Sequence, residues 1–340
     1  MKLSTTLPYA ADPRTVLETA VAWERAGLDL AWVAEAYGFD APSQLGYLAA
    51  RTETLLLGTG ILNVYSRTPA LIGQTAAGID ALSGGRLILG LGASGPQVIE
   101  GFHGLPYAKP LARTRDVVEV VRKTLRREAV VHEGPTVTLP LQGGTGLGKP
   151  LKLLASPVRS RVPIHVAALG GKNVELVAEI ADGWLPLFFL PERAAETFGP
   201  ALEAGKAKRD ASLGELDIVA GGILAIGDDQ AALRDLARPQ LALYIGGMGA
   251  KGRNFYNDLV RRYGFEAEAE KIQDLYLSGR KKEAEAAVPD ELIDQTNLLG
   301  PEGFVKERLA AYRAAGVTVL NVDPQGDDPA SLISRVKSWL

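Results

Sequence analysis

Leu82-Ser83-Gly84-Gly85-Arg86-Leu87-Ile88-Leu89-Gly90-Leu91-Gly92-Ala93-Ser94-Gly95-Pro96 carries the choice between two folds. Ser83-Gly84-Gly85 closes an amphipathic run over 69–82, and 87–91 reads as a buried strand. Gly90–Gly95 then spells G-x-G-x-x-G directly after that strand. In a dinucleotide-binding fold this fingerprint opens a helix in the first βαβ unit, with an acid about 20 residues on. Here Pro96 and a loop containing Phe102-His103-Gly104 follow instead, and three strand–helix units precede it. The dinucleotide reading is therefore set aside. Its physical content remains, because glycines after a strand let backbone N–H groups approach an anion.

The same alternation extends outward in both directions. Upstream, strands are predicted over 3–7, 30–34 and 54–61. The helix over 13–26 has Asp12 as N-cap, Pro13 in its first turn and Gly27 past its end; a second covers 43–51. Downstream, 111–127 is helical, with Val117, Val118, Val121 and Leu125 on one face. Strands follow over 163–167, 184–189, 216–226 and 317–322, and helices over 173–181, 191–208, 229–243, 301–315 and 330–340. Two segments break the rhythm. One, about 128–162, reads as a β-hairpin or long loop with a glycine-rich patch at 143–148. The other, about 246–300, reads as mostly helical. Eight strands, nearly all followed by a helix, predict an α/β protein of the (β/α)8 TIM-barrel class. No linker composition appears, so the expectation is a single domain over 1–340 with these two insertions.

Composition limits the chemistry. Of 340 residues, 46% are apolar and 23% charged, which excludes a disordered or fibrous chain. With 37 Lys plus Arg against 40 Asp plus Glu, the net charge is −3 and no nucleic-acid or membrane-surface footprint is expected. The absence of cysteine excludes disulfides, thiolate ligands and a cysteine nucleophile, and three histidines leave little for a metal site. No metal is expected. The N-terminus lacks a signal-peptide h-region, and no apolar run reaches about 18 residues. A cytoplasmic location is the expectation.

In a barrel of this class the chemistry sits at the C-terminal ends of the strands. Glu35 follows the second strand, where a carboxylate can hold a substrate or simply face solvent. His103 lies in a glycine-flanked loop, as a proton shuttle or as a structural residue. Gly170-Gly171 precede a helix, and read equally as a phosphate site at a helix N-terminus or as a tight turn capped by Asn173. His132 falls in the first insertion and His165 within a strand. Lys251 and Arg253 lie in a glycine-rich loop beside Phe255 and Tyr256 that suits an anionic ligand.

Several segments together resemble the bacterial luciferase-like flavin and deazaflavin oxidoreductases. They are Ala26-Gly27-Leu28-Asp29-Leu30-Ala31-Trp32-Val33-Ala34-Glu35, Leu57-Gly58-Thr59-Gly60-Ile61, Arg67-Thr68-Pro69-Ala70, Leu82-Ser83-Gly84-Gly85-Arg86-Leu87 through Gly92, residues 167–173 with Ala181-Asp182-Gly183-Trp184, and the 308–317 region. Gly60-Ile61 and Ser94-Gly95-Pro96 are most similar to the branch that uses coenzyme F420, the actinobacterial and archaeal deazaflavin.

The resemblance implies a (β/α)8 barrel and a bulge with a non-prolyl cis peptide at Gly60-Ile61 behind the tricyclic ring. It implies cofactor binding by Glu35, Gly60, Ile61, Asn63, Gly92, Ala93, Ser94, Gly95, Ala168, Leu169, Gly170 and Gly171. Two departures separate the chain from relatives that oxidise a sugar phosphate. Ala36 stands where those have a histidine, and Ser94-Gly95-Pro96 stands where they carry an acid. Sugar-phosphate oxidation is therefore not expected, and the proton donor is left among His103, Tyr9, Tyr65 and Glu35. Glu35, His103 and Tyr65 are taken as the catalytic candidates.

Three functions compete: an F420-dependent oxidoreductase moving a hydride at the deazaflavin C5, an FMN-dependent monooxygenase using O2, and a non-enzymatic barrel that only binds a flavin. The expected partners are a small-molecule substrate and a second copy of the chain in a homodimer.

Overall fold

The computed structural model describes residues 1–8 and 11–340. Eight parallel strands close into a barrel: β1 (Lys2–Leu7), β2 (Leu30–Val33), β3 (Leu56–Thr59), β4 (Leu87–Gly92), β5 (Ile164–Ala167), β6 (Gly183–Leu185), β7 (Asp217–Ala220) and β8 (Val319–Asn321). Each pairs with its neighbours, and β8 returns to β1 with Leu3 opposite Leu320.

Side-chain alternation explains the closure. In β2, Leu30 and Trp32 point into the lumen with Ile88, Val219 and Val319, whereas Ala31 and Val33 join the larger core under the helices. A strand with apolar residues at both parities is covered on both faces, as parallel strands are.

The helices around the barrel are α1 (Pro13–Arg25), α2 (Ala41–Arg51), α3 (Pro69–Leu82), a short α4 (Pro96–Ile99), α5 (Pro110–Leu125), α6 (Gly171–Ile180), α7 (Pro191–Lys206) and α8 (Gln230–Ala242). Next come α9 (Phe255–Arg262), α10 (Glu266–Leu277), α11 (Lys281–Ala286), α12 (Asp290–Thr296), α13 (Glu302–Ala314) and α14 (Pro329–Lys337). Asp12, Asp40 and Thr68 cap α1, α2 and α3 by accepting from Thr15, Ser43 and Leu71 N–H, and each helix carries proline in its first turn.

Three strands depart most from the sequence pattern. Strand three stops at Thr59 and resumes only over Leu62–Asn63. Strand six ends at Leu185, short of the predicted Phe189. Strand seven divides at Gly221-Gly222, where a Cβ would stand 2.1 Å from Asn321 O and 2.3 Å from Thr296 O. Beyond that kink Ile223–Ile226 leaves the barrel and pairs with Leu298–Gly300 and Asp323–Pro324. Apolar continuity hides such kinks, because both halves are buried.

In the 128–162 segment His132–Glu133 pairs antiparallel with Thr138–Leu139. Asp116 on α5 holds this hairpin, with His132 Nε2 at 3.2 Å and the Thr136 N–H donating at 2.8 Å. The 246–300 segment packs as α9–α12. Buried Asn254 and Asn257 stitch it together by donating to Tyr244 O, Ile245 O and Ala269 O.

Candidate active site

The interruption of strand three is the centre of the barrel mouth. The Gly60–Ile61 peptide there is cis. A Cβ on Gly60 would approach Trp32 Cβ to 3.1 Å, so the bulge rests directly on the lumen tryptophan. Ile61 fills the space beside Gly92, whose Cβ would stand 3.1 Å from Ile61 Cδ1.

The first two glycines of Gly90–Gly95 are thus packing glycines. Gly90 lies against Thr59, which exchanges two hydrogen bonds of 2.7 Å with its backbone, and a Cβ would fall 1.8 Å from Thr59 O. Ser94 adopts a left-handed φ of 57°, and Gly95 is the N-cap of α4.

Gly170 and Gly171 differ. Nothing lies within 4 Å of a Cβ at either position. Gly170 is the N-cap of α6 and supplies no side-chain cap. The exposed start of a ten-residue helix, with open backbone at the end of β5, suits a phosphate. The neighbouring carbonyls are already used: Ala168 O accepts from Trp184 Nε1 and Leu169 O from Arg262 of α9. That last bond brings the helical insertion to the mouth. The open glycine backbone and the bulge fit a flat ring carrying a phosphate.

Glu35 is buried and its carboxylate is committed. Arg67 holds both oxygens, with Nη2 at 2.8 Å from Oε2, and the Ala41 N–H donates to Oε2 at 3.0 Å. The pair ties the loop after β2 to the segment after the bulge and to the start of α2. The Tyr65 hydroxyl donates to Ala108 O at 3.0 Å, its ring lies under Arg113, and burial raises its pKa. Neither group offers a free acid at the mouth. Tyr9 lies outside the described residues.

His103 comes to the bulge through Asn63. Its Nε2 is 3.4 Å from Asn63 Nδ2, and its ring packs edge-on against Phe102 at 5.1 Å. Phe102 faces Tyr37 from the β2 loop at 6.4 Å, and both rings are exposed.

Two participants escaped the sequence reading. Arg67 is the cation that a buried Glu35 requires; the signal was an acid at one strand end and a base 32 residues later, after the next strand. Tyr107 donates to Ser94 O at 3.2 Å and stacks near Tyr65, and burial pushes its pKa up to about 12. The predicted anion loop is only partly free, since Lys251 pairs with Asp274 at 2.7 Å. His165 lies in the lumen beside Trp32 and His132 on the flank, so neither reaches the mouth. Two grooves also open on the flank, one beside Arg115 and Glu179 and one between α7 and α13. No metal-holding cluster of His, Cys, Asp or Glu occurs among the described residues.

A closed βα barrel with a bulged third strand and glycine loops at its C-terminal mouth defines an enzyme of the barrel type. The chain belongs to the luciferase-like monooxygenase family, whose model matches residues 1–319. A Mycobacterium tuberculosis protein named as a coenzyme F420-dependent oxidoreductase is 44% identical over 329 residues, covering 95% of this chain and 94% of that protein. A 5,10-methylenetetrahydromethanopterin reductase of Archaeoglobus fulgidus is 30% identical, covering 92% and 90%. The fold is that of the coenzyme F420-dependent tetrahydromethanopterin reductase from Methanopyrus kandleri, with a TM-score of 0.83, 23% identity and coverage of 100% of this chain and 98% of that one.

Proposed function

We propose that the chain is a coenzyme F420-dependent oxidoreductase that moves a hydride between the deazaflavin C5 and a small organic substrate. The observation that carries this reading is the interruption of strand three at Gly60-Ile61, which rests on Trp32 at the C-terminal end of the barrel. The 44% identical relative named for F420 supports the choice of cofactor over FMN. When bound, the coenzyme supplies a two-electron hydride carrier, so the protein has only to hold the ring, orient one face and manage hydrogen bonds at the substrate.

Gly60 and Ile61 would back the ring, Gly92, Ala93, Ser94 and Gly95 would flank it, and the backbone at 168–171 would take phosphate. Glu35, with Arg67, fixes the loop that frames the mouth, and Tyr65 anchors the segment after the bulge. His103 is the catalytic candidate left with a ring nitrogen that no described protein group takes.

The reading includes one domain with insertions at 128–162 and 246–300, and a cytoplasmic enzyme; among the described residues no helix is long and apolar enough to cross a membrane. It also includes a homodimer. Leu141, Leu147, Leu151 and Leu154 of the first insertion are 74, 85, 67 and 96% exposed. With Val131 and Val158 they give this insertion six exposed apolar side chains, material for a contact with a second copy.

Fluorescence titration with F420 and with FMN, followed by a carbonyl, imine and alcohol panel read at the deazaflavin absorbance, tests the function. Binding of FMN with indifference to F420 would overturn it. Binding of F420 without hydride exchange across the panel would leave a carrier protein instead.

A further inference from the structure

Asn63 sits in the two-residue strand after the bulge and is buried. Its amide has one permitted orientation. Oδ1 accepts from two backbone N–H groups, Tyr65 at 3.0 Å and Ser66 at 2.7 Å. The other end of the amide must therefore be the NH2, and that end faces His103 Nε2. An amide NH2 only donates, so Nε2 must accept and carry no proton. In the neutral imidazole the proton then belongs on Nδ1. Among the described residues no protein group takes it. The ring is half-buried at the mouth; the His103 backbone N–H donates to Val98 O at 3.1 Å, and the ring packs against the edge of Phe102.

A neutral imidazole N–H can polarise a carbonyl without surrendering a proton. We propose that Asn63 is a positioning residue that fixes His103 in the neutral Nδ1–H tautomer, so that His103 presents a hydrogen-bond donor to a carbonyl or imine acceptor on the substrate. The last clause rests on the oxidoreductase reading; the tautomer does not. Asn63 thereby moves from the cofactor-binding set to the support of a catalytic side chain. The sequence could not reveal this, because positions 63 and 103 meet only through the barrel.

The chain has three histidines, so ring-15N labelling gives three resolvable sets of signals. Spectra of the apo protein at about pH 8.5, above the ordinary histidine range, read each tautomer. His103→Gln assigns the relevant set. The expected result is a protonated Nδ1 and a bare Nε2. Asn63→Asp keeps the acceptor for Tyr65 and Ser66 but turns the donor end into an acceptor, so the proton should move to Nε2; unchanged His132 and His165 signals report an intact fold. A wild-type Nε2–H, or an Asn63→Asp ring identical to wild type, overturns the proposal.

F420 separates support from cofactor binding. Asn63→Asp should leave the F420 Kd within about twofold and lower turnover on the best panel substrate about tenfold, the scale of one hydrogen bond. An F420 Kd raised about tenfold makes Asn63 a cofactor ligand, and unchanged turnover removes His103 from the reaction; either overturns the proposal. If wild type ignores F420, the oxidoreductase reading fails while the tautomer result stands.

Discussion

Replacement of His165 by leucine should remove much of the protein's acid sensitivity. His165 points into the barrel lumen from β5, is 1% exposed and lies 5.6 Å from Trp32. Among the described residues neither ring nitrogen has a hydrogen-bond partner. The nearest carboxylate oxygen, Asp217 Oδ2, is 3.7 Å from Nε2. Burial lowers the pKa from 6.5 to about 4, opposed by Asp217 and Asp182 and assisted by Lys2. Between those values the unfolded chain takes up a proton that the native ring refuses. Acidification therefore favours unfolding, starting near pH 6.5 and levelling off near pH 4. A shift of this size corresponds to on the order of 3 kcal/mol of native stability lost across the window. Leucine has no proton to take up and removes two unsatisfied polar atoms from an apolar lumen. The variant should match or exceed wild type at neutral pH. Its advantage should then grow by on the order of 3 kcal/mol as the pH falls to about 4. Urea unfolding followed by tryptophan fluorescence across that range measures the difference. Parallel stability curves for variant and wild type would refute the reasoning.

Arg67→Met should destabilise the fold by about 3–5 kcal/mol, because it leaves the Glu35 carboxylate buried without its partner. The double variant Glu35→Gln/Arg67→Met should recover much of that loss in the same urea assay, and no recovery would show that the pair is not the unit. Gly90→Ala should fail to fold or lose several kcal/mol, since its Cβ would fall 1.8 Å from Thr59 O. Gly170→Ala should melt like wild type, whereas Gly170→Asp should keep the melting temperature and weaken F420 binding at least tenfold by facing phosphate with a carboxylate; equal F420 titrations would remove the α6 start from the site. Leu147→Asp with Leu154→Asp should shift the mass by light scattering from dimer to monomer with F420 affinity unchanged, and a monomeric wild type would end the dimer reading.

The barrel was legible because its strand–helix alternation is written in local periodicity. Leu30-Ala31-Trp32-Val33 reads as buried whatever it packs against, and Asp12-Pro13, Asp40 and Thr68-Pro69 mark helix starts without tertiary information. The breaks were not legible. Strand three divides at Gly60 and strand seven at Gly221-Gly222, yet each sits within one apolar run. Only tertiary contacts mark those points: a side chain is excluded at Gly221-Gly222 by Asn321 and Thr296 backbone, and would crowd Trp32 at Gly60.

The candidate site divides the same way, and the glycines make the physical reason plain. Gly90 and Gly170 each belong to a glycine pair at the C-terminal end of a barrel strand, and the letters give no ground for treating them differently. One is glycine because Thr59 occupies the space a Cβ needs, and the other has nothing within reach of a Cβ. The first is a demand of the fold, while the second leaves backbone open to a ligand. Glu35 follows the same logic. A carboxylate after a strand reads as a catalytic acid only while its partner is unknown. Once Arg67 and the Ala41 N–H take both oxygens, the group becomes a fastener between two loops. His103 keeps its catalytic candidacy for the opposite reason: Asn63 occupies one nitrogen and no described protein group takes the other. What distinguishes a functional polar group from a structural one in this chain is therefore the valence left over after the fold has been satisfied. That remainder is a property of contacts between units about 30 to 40 residues apart, the spacing of successive strands and loops in a βα barrel.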